Sequence, residues 1–401
     1  MFPNDTHNFM AQWNGSFGTQ VSTKTTATYK SVVDDRDIRG EPFPHMTISD
    51  GPNAEIDLGS ELFSQVNFLE QDVYTFTNKT DIFLGDHTLT VGTHNEFYQI
   101  LNKFAVFSPG WYQFGSPEGF AATICDYAQR NPDRAANGGP NQTCQNMFTP
   151  GEMQPQFNTL YLRQYSLVDD VDSTDTFESF ASDRTNLAGD FNAIQLGFFA
   201  QDEWQFNDQL RLTYGLRVNF PKLLDEPKRA DDANSNTLDR VSQFYDLEGA
   251  RAGDTPDWRA MWEPRFGFNW DVTGNQDTQV RGGIGVFTSR LPFVWPGSMY
   301  TNDGVSTDFL AGLAQELRRP SNAVTRPEPG ETGFFFGGGG FGQGVPASEI
   351  TPTGNLHIMA DDFMYPRAMR TSLGIDQALP LDLIGSIEAQ YSNQLQGIVV
   401  E

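Results

Sequence analysis

Residues 210–220, LRLTYGLRVNF, alternate apolar and polar side chains without a miss. Leu210, Leu212, Tyr214, Leu216, Val218 and Phe220 fall on one side, and Arg211, Thr213, Gly215, Arg217 and Asn219 on the other. Successive side chains of a strand point to opposite faces, so the pattern predicts a strand with one oily and one wet side. The stretch before it, 194–206, repeats the pattern with Ile194, Leu196, Phe198, Ala200, Trp204 and Phe206. Only the turn-forming NDQ (207–209) separates the two, which is hairpin length. Asp202 is the misfit on the oily side, close to the turn, where an interface tolerates it.

The same unit recurs along the chain. RFGFNWDV (265–272) turns through TGNQD into TQVRGGIGVF (278–287). RAMRTSLGIDQAL (367–379) turns through PLD into 383–400, and 70–85 turns through GDH into 88–104. A weaker pair opens the chain, giving about ten long strands in five hairpins. The connections on the other side are long and rich in Gly, Pro and Asp, over roughly 37–62, 106–190, 221–262 and 289–365. Short turns on one side and long loops on the other are the habit of outer-membrane barrels. A soluble sandwich has no reason to sort its loops this way.

What the oily side touches decides the fold class. The strands run to ten or more residues against a usual five or six. Trp204 and Trp270 lie within a few residues of their turns, and Phe206 and Tyr214 join them as candidate membrane-interface aromatics. Strands this long would aggregate through their edges unless paired around a closed wall. The expectation is an all-β, antiparallel transmembrane β-barrel whose oily side faces lipid. Residues 106–190 and 289–365 are its long external loop regions, the latter rich in Gly and Pro.

Composition removes other classes. No run approaches the roughly 18 consecutive apolar residues of a membrane-spanning helix. The stretch 308–319, DFLAGLAQELRR, is read as about three helical turns inside a loop. With 26 Lys+Arg against 52 Asp+Glu, the net charge is -26, which argues against a nucleic-acid partner. Much of the acid lies in polar stretches (33–41, 168–178, 229–239) that read as solvated loops. Such an excess also suits very salty water, where self-repulsion is screened. Cys125 and Cys144 bracket an Asn/Asp/Gly/Pro-rich stretch. Given export, a disulfide contributing on the order of 3 kcal/mol is the favoured reading, with two free thiols as the alternative.

Catalytic and metal motifs are sparse. His87 and His94 are seven apart on a strand pattern, hence on opposite faces, and make no metal pair. No Gly–x–Ser–x–Gly elbow precedes a helix. GFFFGGGGFGQG (333–344) lacks the Lys–Ser/Thr ending of a phosphate loop and reads as an external loop with aromatic contacts. DDVDSTD (169–175) and DDANSN (231–236) place oxygen ligands at alternate positions, without the central Gly and distal Glu of a calcium loop. The expectation is no enzyme, no cofactor and no catalytic or metal residue.

Four stretches carry a family resemblance. Gln201, Asp202 and Trp204, followed across the turn by Tyr214, Gly215, Leu216 and Arg217, resemble a strand-turn-strand of TonB-dependent outer-membrane receptors. Pro264 and Arg265, then Arg281, Gly282 and Gly283, resemble the next hairpin. The segments 80–97 and 366–393 fit the Oar-like subgroup of large receptors. The resemblance implies a 22-stranded barrel with an amino-terminal plug. It also implies import of a scarce solute, small or oligomeric, using energy delivered through the TonB complex. Residues 1–401 are read as departing from that pattern, with no signal peptide, TonB-contact segment, plug or terminal aromatic strand expected within them. Residues 1–401 are therefore expected to be part of a receptor barrel, about half the wall, in the bacterial outer membrane. Its expected partners are outer-membrane lipid, the TonB complex through an upstream region, and the unidentified solute. Two other readings stay open, a non-energised structural or adhesion barrel and a secreted soluble β-protein. An open ten-strand wall has two long unpaired edges and is not expected to fold alone.

Overall fold

A computed structural model describes residues 3–36, 45–59, 61–63, 67–104, 106, 111–121, 160–166, 188–229, 238–304, 306–313 and 356–399. Cys125, Cys144, both candidate calcium stretches and the Gly-rich 333–344 lie outside them. In chain order the strands are β1 (Asn4–Phe17), β2 (Val21–Asp35), β3 (His45–Ser49), β4 (Glu55–Leu58) and β5 (Asn67–Leu84). Next come β6 (His87–Phe104), β7 (Trp111–Phe114), β8 (Leu160–Ser166), β9 (Ala188–Asn207) and β10 (Leu210–Leu223). The last five are β11 (Met261–Asp271), β12 (Thr278–Thr288), β13 (Thr307–Leu313), β14 (Arg367–Leu379) and β15 (Leu383–Gln396).

Ten of these form one antiparallel sheet, in the order β1-β2-β5-β6-β9-β10-β11-β12-β14-β15. Five hairpins build it, and their turns are short, as at 18–20 and 85–86, where Gly18 and Gly85 adopt positive φ. Among the described strands, β1 and β15 are each paired on one side only.

The register gives the tilt of this wall. A row of directly paired residues starts beside the first turn at Val21 and runs through Ile82, Leu89, Asp202, Tyr214, Phe266 and Ile284 to Thr371. Thr371 stands eight residues short of Leu379, which borders the last turn. At about 3.3 Å per residue and about 4.8 Å between strands, the stagger is about 26 Å over about 34 Å of width. The strands therefore lean about 38° from the normal to the line of turns, within the tilt that outer-membrane barrels use.

A second sheet was not foreseen. The order β13-β8-β7-β3-β4 gathers short strands from the long connections, and β3 pairs with β7 in parallel. Residues 308–313, the start of the stretch 308–319 expected to be helical, lie in strand β13, which pairs with β8 from Thr307↔Ser166 to Leu313↔Leu160. Long-range backbone pairing outweighs the local helix preference of that stretch.

Candidate functional site

The paired register sorts every strand of the large sheet into two faces. One face holds Phe9, Tyr29, Tyr74, Phe97, Phe198, Leu216, Trp262, Phe266, Trp270, Ile284, Leu373 and Ile387, most of them exposed. Aromatic rings mark two levels on it. Near the loop end, Phe9–Tyr29, Tyr29–Tyr74 and Tyr74–Phe97 follow one another at centroid distances of 6.3, 5.0 and 6.1 Å. Near the turn end, Trp204 stacks on His87 at 5.3 Å and meets Phe206 edge-on at 4.9 Å, with Trp270 at the same level on β11. From Tyr74 to Leu84 the tilted strand climbs about 26 Å, and from Trp262 to Trp270 about 21 Å. These heights match the apolar band of about 25 Å between the aromatic girdles of outer-membrane barrels. This face is the lipid-facing one.

Asp202 lies on this oily face, and its surroundings explain why it is tolerated. His87 Nδ1 sits 2.7 Å from Asp202 Oδ2, and the Tyr214 hydroxyl donates to the same oxygen at 2.6 Å. Tyr214 thus stands as the hydrogen-bond partner of Asp202, a third to halfway up the band rather than at its rim.

The opposite face is polar and charged. Buried Glu96 accepts from the Tyr98 hydroxyl at 2.8 Å, lies 3.6 Å from His94 and pairs with Arg290. On β10 and β11, Arg217 donates to Asn219 at 2.9 Å and Asn219 donates to Glu263, which also takes the Thr288 N–H at 3.1 Å and pairs with Arg265 at 2.9 Å. Nearer the turns, Arg281 bridges Asp376 at 3.0 Å and Glu388 at 3.2 Å. His87 and His94 fall on opposite faces of β6.

The motif residues divide between these faces. Gln201, Gly215, Arg217, Arg265, Arg281 and Gly283 are inward, whereas Asp202, Trp204, Leu216, Pro264 and Gly282 are outward. Gly282 leaves room for a ring: a Cβ there would meet Phe268 at 2.8 Å. Gly197, inward on β9, does the same for Arg217, whose Nη2 would lie 2.6 Å from an added Cβ.

Sequence reasoning missed the cover on the inner face. Residues 289–303 and 356–366, within the region assigned to an external loop, pack against the loop-side half of the inner wall. Phe293 meets Tyr98 at 4.8 Å, Tyr300 stacks on Phe191 at 4.5 Å, and the Tyr300 hydroxyl donates to the Asp225 carbonyl at 2.7 Å. Leu291 and Tyr365 close over Met261. The buried hydrophobic clusters that include Tyr98, Phe191 and Met261 therefore lie between wall and cover. The only sequence hint was the apolar run LPFVWP (291–296) in an otherwise polar connection.

Burial pushes the Tyr365 phenol up to about 12, and burial beside Asp225 also raises Tyr300. A neutral phenol favoured in the folded state contributes stability below the unfolded value of about 10, lost as pH rises through the folded one. The cover is thus expected to loosen between about pH 10 and 12. Phenolate absorbance on raising pH should show a step near pH 12 that Tyr365→Phe removes, with Tyr300 titrating later still. A Tyr365 titrating near 10 would contradict its burial.

A tilted antiparallel wall with an apolar band between two aromatic girdles, a charged inner face, and turns and loops sorted to opposite ends defines a transmembrane β-barrel wall of the bacterial outer membrane. The family model for the outer membrane beta barrel domain matches residues 3–392, and the chain belongs to that family. Among solved structures it is similar to the outer membrane transporter YddB from Escherichia coli, with TM-score 0.46 and 11% identity over 98% of this chain and 34% of that one. The copper transporter OprC follows at TM-score 0.40 and 9% identity, over 94% of this chain and 36% of that one. The siderophore receptor PiuA from Acinetobacter baumannii matches at TM-score 0.34 and 12% identity, over 96% and 49%. The chain spans about a third of the length of YddB. No curated protein matches it.

Proposed function

We propose that the chain is part of the wall of an Oar-like TonB-dependent receptor, which binds a scarce solute outside the cell and imports it with energy delivered through the TonB complex. The observation that carries the reading is the inner face. Its charged side chains are ordered by one another, and a segment from the loop side folds down onto them. A barrel serving only as an anchor has no need of such an ordered inner wall. TonB contact belongs to a region outside these residues, and the wall itself performs no bond-making chemistry.

The test uses cells carrying the gene, cells with it deleted in frame, and cells lacking TonB. A defined mixture of ferric siderophores, cobalamin, oligosaccharides and peptides is supplied, and its depletion is followed by mass spectrometry. The expected result is one class of solute whose uptake is lost in both mutants. Uptake lost on deleting the gene but retained without TonB would make the barrel a passive channel. No difference for any solute would favour a structural or adhesion role.

A further inference from the structure

Between the two aromatic levels the lipid-facing surface is not uniform. On β9 to β12 it is apolar through Phe198, Ala200, Leu216, Val218, Phe266 and Ile284, broken by Asp202 with its hydrogen-bonded partner Tyr214. On β2, β5 and β6 the same band carries Thr23, Thr25, Asn78, Thr80, Thr93 and Asn95. These groups form a network on the outer face. Asn78 donates to Thr23 at 3.2 Å and to Thr25 at 2.9 Å, and Thr80 donates to Asn78 at 3.2 Å. Asn95 donates to Thr93 at 2.8 Å, and Thr93 donates to the Gly197 carbonyl at 2.8 Å. Hydroxyls and amides with unused hydrogen-bonding capacity are costly against acyl chains, where nothing can satisfy them.

We propose that the outer face of β1, β2, β5 and β6 is a lateral interface with a second copy of this chain, related by a two-fold axis along the membrane normal. Three observations select that occupant. Each hydroxyl and amide both donates and accepts, so the patch is complementary to itself, as a two-fold contact requires. No outward residue from Phe9 to Phe17, Val21 to Tyr29, Tyr74 to Ile82 or Leu89 to Phe97 is charged, so nothing here calls for an oppositely charged partner. On the loop side the patch continues into a groove of about 670 Å³, walled by Phe9, Tyr29, Tyr74 and Phe97 over Ala11 and Ala27. Trp13, 56% exposed on β1, stands beside it as a ridge that the partner's groove can receive.

The size is sufficient. Four strands about 4.8 Å apart and a band about 25 Å tall give on the order of 500 Å² of projected wall per copy. Two copies together bury on the order of 1,000 Å², where specific interfaces begin. The inference rests on the membrane-spanning wall and is independent of the solute import proposed above.

The native protein, extracted from outer membranes into lipid nanodiscs, is counted by single-molecule photobleaching. Wild type is expected as dimers. The Asn78→Leu/Asn95→Leu variant should raise the dimer dissociation constant about tenfold or more. Heat-dependent gel mobility confirms that the barrel is folded in both. In a background with Cys125 and Cys144 replaced by serine, Asn78→Cys should cross-link between copies through a short bismaleimide, and Leu216→Cys should not. A monomeric wild type, or a folded double variant that dimerises unchanged, overturns the proposal and leaves lipid as the cover of the patch. Cross-linking from Leu216→Cys but not Asn78→Cys overturns it too, by placing the contact on the apolar half.

Discussion

Leu216→Arg is expected to destabilise the inserted wall by about 2–4 kcal/mol, whereas Thr213→Arg on the same strand should cost less than about 1 kcal/mol. The two positions are three residues apart, but the pleat sends them to opposite sides. Leu216 points outward between Ala200 and Pro264, midway between the aromatic levels, and is well exposed. A guanidinium there faces hydrocarbon with no partner. Thr213 points inward opposite Glu203, where an added cation meets a carboxylate and water. Urea unfolding of the protein in phospholipid vesicles measures both. Equal losses would mean that the two faces have been assigned the wrong way round.

Glu263→Ala should cost about 2–5 kcal/mol, because it strips buried donors of their shared acceptor. Glu263 is 2% exposed and is shared by Asn219, the Thr288 N–H and Arg265. Its removal leaves the equally buried Asn219 and a backbone donor without an acceptor, each worth about 1–3 kcal/mol. Arg265→Ala should cost less, because its side chain is half exposed and its removal leaves Glu263 two other donors. Glu263→Gln keeps one carbonyl acceptor and should fall between the two. The same urea titration ranks them. A Glu263→Ala protein as stable as wild type would show that the inner network does not hold β10 to β12 together.

Several elements were legible from the residues alone. The alternation at 194–206 and 210–220 placed β9 and β10, and the short polar turns paired the hairpins. The same period separated His87 from His94 and set Arg217 against Leu216. Other features were not legible. The partner of Asp202 is His87, 115 residues away in the chain, and no local pattern announces it. The outer-face network of Asn78 and Asn95 reads in sequence only as weak alternation, because Thr and Asn fit a strand without declaring which side they face. Residues 308–313 carry a local helix preference that pairing with β8 overrides. Residues 289–303 read as a loop, although Phe293 and Tyr300 are anchors on the inner wall.

The division follows from the range of the forces. A period of two is a property of neighbouring residues, so the sequence by itself determined the strands, their two faces, the hairpins and the membrane-spanning class. Stagger, the inward cover, the second sheet and the polar patch depend on which distant residues meet. Those meetings are settled by the total burial and hydrogen bonding of the assembled wall. Only the tertiary structure decided them.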